Sequence, residues 1–344
     1  MTTLYVAFDG GLLIARESGG RWQTEDRLVG LPASCLAADP QRPDVSFCGT
    51  FGRGLWRSGD AGATWTRVGE GEVLAGVTAL AVSQASGGQG HGRLFLGTEP
   101  TEVYASDDWG RSWSRSPDLD ALPSRPTWSF PPRPYTHHAR WIEPDAAAPG
   151  RVFLCVEAGG VMRSFDGGET WRDRVPNGPM DVHTMRTHPL APNRAYAAAG
   201  DGYSMPGAGY AESLDGGETW RRFGDGLRHH YLWSVAVDPA DPEEIVVSAS
   251  TGPHEAHNPS SANSTIYRRS GGGPWREVRA GLPEPQGSLA ATLATNQAEP
   301  GVFYLASNHG VYRSGDGGQT WERLEIEWPE RYTRSRPAAL LALP

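Results

Sequence analysis

An octet that begins with Ser and ends with Trp recurs along this chain. It reads SGDAGATW at 58–65, SDDWGRSW at 106–113, SFDGGETW at 164–171, SLDGGETW at 213–220 and SGDGGQTW at 314–321. A shortened copy, SGGGPW, stands at 270–275, and a fainter ESGGRW at 17–22. From Ser18 onward the leading serines are 40 to 58 residues apart. A period of that length is one small four-stranded sheet, and seven such sheets close into a propeller.

The octet has the chemistry of a tight hairpin. Asp60, Asp108, Asp166, Asp215 and Asp316 can accept hydrogen bonds from turn amides. The Gly three residues before each Trp supplies a backbone with positive φ. Trp65, Trp113, Trp171, Trp220 and Trp321 open the next strand and can bury their rings between sheets. The motif therefore specifies architecture and leaves activity open.

In these octets the chain resembles the Asp-box (bacterial neuraminidase repeat) propellers, over nearly its whole length. That superfamily includes sialidases, two-domain xyloglucanases, sortilin-type receptors and the photosystem II assembly propeller. The resemblance implies an all-β fold and says little about chemistry. The sialidase pattern also needs an arginine triad, a Tyr–Glu nucleophile pair and an early Arg-Ile-Pro motif, and no Arg-Ile-Pro occurs here.

The fold class expected is all-β: a single seven-bladed β-propeller closed by a C-terminal strand A that joins N-terminal strands B, C and D. One such domain accounts for residues 1–344. Its blades fall at about 338–344 plus 1–30, 31–70, 71–116, 138–176, 182–226, 231–280 and 287–327, with a long loop over 116–137. Thr3–Phe8 reads as strand B, Leu12–Ala15 as C and Trp22–Leu28 as D, leaving Ala338–Leu343 as an orphan strand A. Joining the termini in one blade removes an exposed sheet edge. The other inner strands are expected to start near Ser34, Val77, His138, His183, Trp233 and Ser288.

Composition narrows the partners. A net charge of −9 argues against nucleic acid and anionic membranes. No run approaches the ~18 apolar residues of a membrane span, and residues 1–15 lack the pattern of a signal peptide or lipid anchor. Three cysteines, Cys35, Cys48 and Cys155, fit reduced thiols in a cytoplasmic protein. Cys35 and Cys48 fall on neighbouring strands, so a disulfide between them is geometrically conceivable.

In an up-and-down blade the D–A and B–C connections share one face. The long loops 116–137, 200–209 and 251–264 all fall there, which makes that mouth the expected functional face. Most of the ten histidines project onto it. Aligning the A–B turns on Glu143, His188 and Asp238 puts His138, His183 and Trp233 at one height, with His230 and His257 in reach. Imidazoles converging from separate strands suit acid–base chemistry near neutral pH or one divalent transition metal (iron, manganese, zinc or copper). The candidate catalytic residues are His138, His183, His230, His257 and Tyr231, and the four histidines are also the candidate metal ligands. Arg53, Arg133, Arg140, Tyr135, Trp128, Trp233, Glu157 and Tyr203 are the candidate substrate-binding residues. Such a lining suits a carbohydrate-like or anionic small molecule. An equally simple account of Arg140 is an ion pair between blades.

Three classes of function stay open. The first is an enzyme of hydrolase or lyase type, with or without a metal. By resemblance of architecture alone, seven-bladed propellers with His-lined mouths include polysaccharide and cyclic-peptide lyases and iron-dependent carotenoid oxygenases. The second is a non-catalytic binding or assembly propeller. The third is an Asp-box glycosidase using two carboxylates, for which Glu99, Glu157 and Asp201 stand at the mouth.

Overall fold

The computed structural model describes residues 2–69, 76–84 and 90–344. The blade boundary expected at 70/71 lies outside the described residues.

Short β-branched and aromatic runs joined by turns form seven small antiparallel sheets. Blade 1 pairs Ala339–Leu343 with Thr3–Phe8, then Gly11–Ser18 and Arg21–Arg27. Blades 2 to 7 begin with inner strands Ala33–Asp39, Val77–Val82, Ala139–Pro144, Val182–Thr187, Tyr231–Asp238 and Thr292–Thr295. Each runs A to D in order, so the whole is a seven-bladed β-propeller. Blade 4 has three strands, and a lone bridge between Arg163 and Arg172 marks where its fourth begins.

The octet turns explain themselves through hydrogen bonds. Ser58 Oγ donates to Asp60 Oδ1 (2.8 Å) and accepts from Gly62 N (2.8 Å). Asp60 Oδ1 then accepts from Thr64 N (2.9 Å) and Oδ2 from Thr64 Oγ1 (2.6 Å). The Thr64 hydroxyl and amide, with Ser58, hold the Asp60 carboxyl down at about 2. Gly62, at φ 86°, turns the chain where a side chain would be strained. Asp108, Asp166, Asp215 and Asp316 repeat the pattern.

The core lies between blades. Trp171 packs with Phe95 and Val103 of blade 3 and Leu154 of blade 4, and its indole N–H donates to Ser116 Oγ (2.8 Å). Cys35, Cys48 and Cys155 are buried free thiols. Burial pushes the Cys35 thiol up to about 12.

One irregularity positions the mouth. The inner strands of blades 2 to 6 each carry one extra residue near their start: Ser34, Thr78, Arg140, His183 and Trp233. A bulge re-aims its side chain. Three of these side chains reach the next blade at the carbonyl just before its bulge. Ser34 Oγ donates to Val77 O (2.8 Å), Thr78 Oγ1 to Ala139 O (2.7 Å) and His183 Nδ1 to Leu232 O (2.7 Å).

This register corrects the alignment expected above: Arg140, rather than His138, stands at the height of His183 and Trp233. The A–B turn is set by a side chain that accepts from the amide two residues on. That residue is Asp39, Asp145, His188, Asp238 or Asn296. Blade 4 therefore turns at Asp145, two residues beyond Glu143.

Candidate functional site

The bulged residues open on a cavity of about 780 Å³ at the mouth. Four of the five, Ser34, Thr78, Arg140 and Trp233, line it, and His183 is buried behind it. The loops complete the wall. In 116–137, Leu119, Leu122 and Trp128 are buried beneath the connection, so that Phe130 to Arg133 face the cavity. Asp173 Oδ2 accepts from Ser124 N (2.8 Å) and pins that loop. The connection 200–209 carries Tyr203, the short helix Pro253–His257 carries His257, and the final connection brings Arg336.

Several expected residues converge here: His138, His257, Tyr231, Arg133, Arg140, Trp233, Glu157 and Tyr203 all line the cavity. Others do not. Trp128 is a core residue whose indole N–H donates to Ser124 Oγ (2.9 Å), Tyr135 is 84% exposed and Arg53 sits exposed on a B–C turn. His230 lies outside the lining, with its backbone carbonyl against Gly202 and Gly209. The other two expected carboxylates are engaged elsewhere. Glu99 pairs with Arg133 (Nε–Oε1 2.8 Å). Asp201 accepts from the amides of Met180 (2.9 Å) and Asp181 (2.8 Å).

Among the lining residues that were not anticipated are Asp181 and Arg336. Asp181 is held by Asp201 through its own amide and by Gly200, whose amide donates to Asp181 O (2.8 Å). A Cβ on Gly200 would fall 2.1 Å from Asp181 Oδ2 and 2.9 Å from the Tyr231 ring, so only Gly lets that carboxyl sit there.

Glu157, Asp181 and His183 each offer one ligand atom, and all three atoms lie within 4.8 Å of one another. Their surroundings differ in sign. Burial raises the Glu157 carboxyl, but the hydrogen bond with His138 Nε2 (3.2 Å), with His183 and Arg140 nearby, outweighs it and holds Glu157 at about 2. Burial raises Asp181; His183 offsets part of this, and the Glu157 and Asp201 carboxylates add to it. The net direction is upward. Asp181 Oδ1 is buried and accepts no hydrogen bond among the described residues. The mouth thus carries one carboxyl held below its ordinary range and one raised above it.

A tyrosine links two of the histidines. His183 Nδ1 carries a proton and donates it to the Leu232 carbonyl (2.7 Å), and Nε2 faces the Tyr231 hydroxyl (3.3 Å). Tyr231 also meets His257 Nε2 (3.1 Å). Burial keeps the Tyr231 hydroxyl protonated by raising it. Burial, then Arg336 and His183, push His257 down to about 2, so its ring is neutral. Arg140 and Arg336 both lie over the Trp233 ring, at 4.5 and 4.0 Å from its centroid.

Fold and site together define a seven-bladed propeller with one deep, polar and aromatic mouth. No family model matches the chain. It is 26% identical over 200 residues to a xyloglucanase of Paenibacillus sp, covering 49% of this chain and 18% of that protein. The chain thus spans about a fifth of the length of the curated relatives it matches. Among solved structures it resembles the GH74 enzyme of Niastella koreensis (TM-score 0.66, 17% identity, 93% of this chain and 52% of that one). It also resembles YCF48 bound to a D1 peptide (TM-score 0.52, 18% identity, 85% and 82%). At these identities the structural likeness concerns the fold.

Proposed function

We propose that this propeller hydrolyses a glycosidic bond in a sugar-like ligand held at its mouth, and that its octets are Asp boxes. The observation that carries the first proposal is the Glu157–Asp181 pair: two carboxyls with oxygens within 4.8 Å, at the wall of one cavity, their acidities shifted in opposite directions. Such a pair is what glycoside hydrolysis uses. The sugar-acting names of the xyloglucanase and GH74 relatives point the same way.

Asp181 gives its proton to the leaving-group oxygen as the bond to the anomeric carbon breaks. The close spacing favours Glu157 as nucleophile, since a water-mediated inversion needs roughly 6.5–9.5 Å between carboxyls. Glu157 then bonds the anomeric carbon, and Asp181, now ionised, takes a proton from the water that releases the sugar. The Tyr231 hydroxyl and the Trp233 ring would hold the sugar. The test is turnover of a panel of aryl glycosides, with the first-formed anomer read by proton NMR. A retained anomer and loss of turnover in Glu157→Gln are expected. Wild-type rates in both Glu157→Gln and Asp181→Asn would overturn the assignment.

One observation favours a second reading, a divalent transition metal (iron, manganese, zinc or copper) held by Glu157, Asp181 and His183. His183 donates through Nδ1 to a backbone carbonyl, the arrangement that orients a metal-binding Nε2. This reading needs Asp181 ionised, whereas the glycosidase needs it protonated. Elemental analysis of untagged protein decides between them: stoichiometric metal that disappears in His183→Ala supports the metal, and none in either favours the acid.

A further inference from the structure

We infer that the ligand of this mouth is acidic, and that Arg336 and Arg140, set over the Trp233 ring, form the subsite for its carboxylate. The inference rests on reading the mouth as a sugar site and names the class of sugar: one bearing a carboxylate, of the uronate type.

Arg336 comes from the last connection, 324–338, and reaches the cavity wall beside Ala338. Its guanidinium donates one hydrogen bond, from Nη1 to Pro337 O (3.2 Å), and lies against Trp233. Among the described residues no carboxylate comes within 4.0 Å of it, although most arginines of this chain have one. Arg140 has a single long contact, Nε to Glu157 Oε2 at 3.9 Å, and Glu157 is already committed to His138. Each guanidinium offers five N–H donors, so most remain unused. Burial and the neighbouring Arg140 push Arg336 down to about 9, a sign of two cations crowded into one poorly solvated place.

Half-buried cations this poorly paired are costly unless an anion completes them. The nearest anions cannot serve. Glu99 is engaged by Arg133 and Glu157 by His138. A carboxylate on the ligand satisfies both guanidiniums with planar, paired hydrogen bonds, and the indole keeps their planes fixed while it does so. Charge-assisted bonds of this kind carry ligand preference as well as affinity.

The test is calorimetric binding of two sulfur-linked oligosaccharides of equal length, an oligouronate and its neutral counterpart. Neither can be hydrolysed, so the result stands apart from turnover. The oligouronate is expected to bind at least ~10-fold more tightly, and Arg336→Met, at a wild-type melting temperature, to lose that preference. The wild-type comparison needs no variant, so a folding defect in Arg336→Met leaves the test intact. Equal affinity for the two probes, or an unchanged preference in a folded Arg336→Met, overturns the inference. If the preference holds and no glycoside is turned over, the acidic subsite stands and the hydrolase reading falls. If a neutral glycoside is turned over and the uronate gains nothing, the reverse follows.

Discussion

The proposed chemistry turns on Asp181 and Glu157, and they answer pH in opposite directions. Asp181 sits above its ordinary 3.8, so its protonated form stabilises the fold at low pH and that stability is lost as pH rises through the folded value. Glu157 sits at about 2 against an ordinary 4.5, so its stabilisation is present above 4.5 and lost as pH falls toward 2. Melting curves should therefore show Asp181→Asn gaining stability at neutral pH and gaining nothing below pH 3.8, with Glu157→Gln losing stability at neutral pH. In kinetics, Asp181→Asn should cost about 10²–10⁴ in rate on substrates with poor leaving groups and far less on activated aryl glycosides, which need no acid. A variant slowed equally on both would remove Asp181 from the proton-donor role. The sequence placed Glu157 at the mouth because it lies on a B–C turn. Asp181 escaped because its role depends on Gly200 and Asp201 from another connection, and nothing local marks that contact.

At the scale of the strand, the octets were legible because their chemistry is local: a serine, a carboxylate and a glycine within one turn. The bulge that aims Arg140 was not, since an extra residue in a strand needs no glycine or proline to announce it. In blade 4 an X-Pro pair, Glu143-Pro144, matches Asp39-Pro40, His188-Pro189 and Asp238-Pro239, while the residue that accepts the turn amide is Asp145. The hydrogen-bonding role, rather than the proline, carries the register. Asp145 also pairs with buried Arg151 (Oδ2–Nε 2.7 Å). Asp145→Ala should then cost ~3–5 kcal/mol by stranding a buried cation, read as a shift of the urea midpoint. Because the turn sets the height of Arg140, it should also weaken the uronate preference. Trp171→Ala makes the contrast: a comparable loss, ~3–5 kcal/mol, from emptying the space between blades 3 and 4, with the ligand preference intact in the fraction that remains folded. A Trp171→Ala protein that binds the two probes alike would mean that the mouth and the blade cores are not separable.

Across the whole molecule, ring closure joins fold to site. The ends were readable as partners because each supplies what the other needs: Thr3–Phe8 reads as a second strand, and 338–344 as a first strand. They pair from Thr3–Leu343 to Ala7–Ala339, and Leu340 and Ala342 pack against Leu4 and Val6. The last connection was harder to read, because no repeat follows it to show where it ends, and so Arg336 went unassigned. The same closing strand therefore seals the sheet edge and delivers Arg336 and Ala338 to the cavity. Removing 338–344 should leave Thr3–Phe8 as an open inner edge, cost ~3 kcal/mol or more from lost burial and ladder bonds, and favour association through that edge. Light scattering and melting curves on the truncated chain would show it. A synthetic peptide of residues 338–344 should then restore both stability and the association state of the full-length protein by adding the missing strand. A truncated chain that melts with the full-length protein and keeps its association state would mean that the ring does not depend on this closure, and that Arg336 reaches the mouth by the packing of its own connection alone.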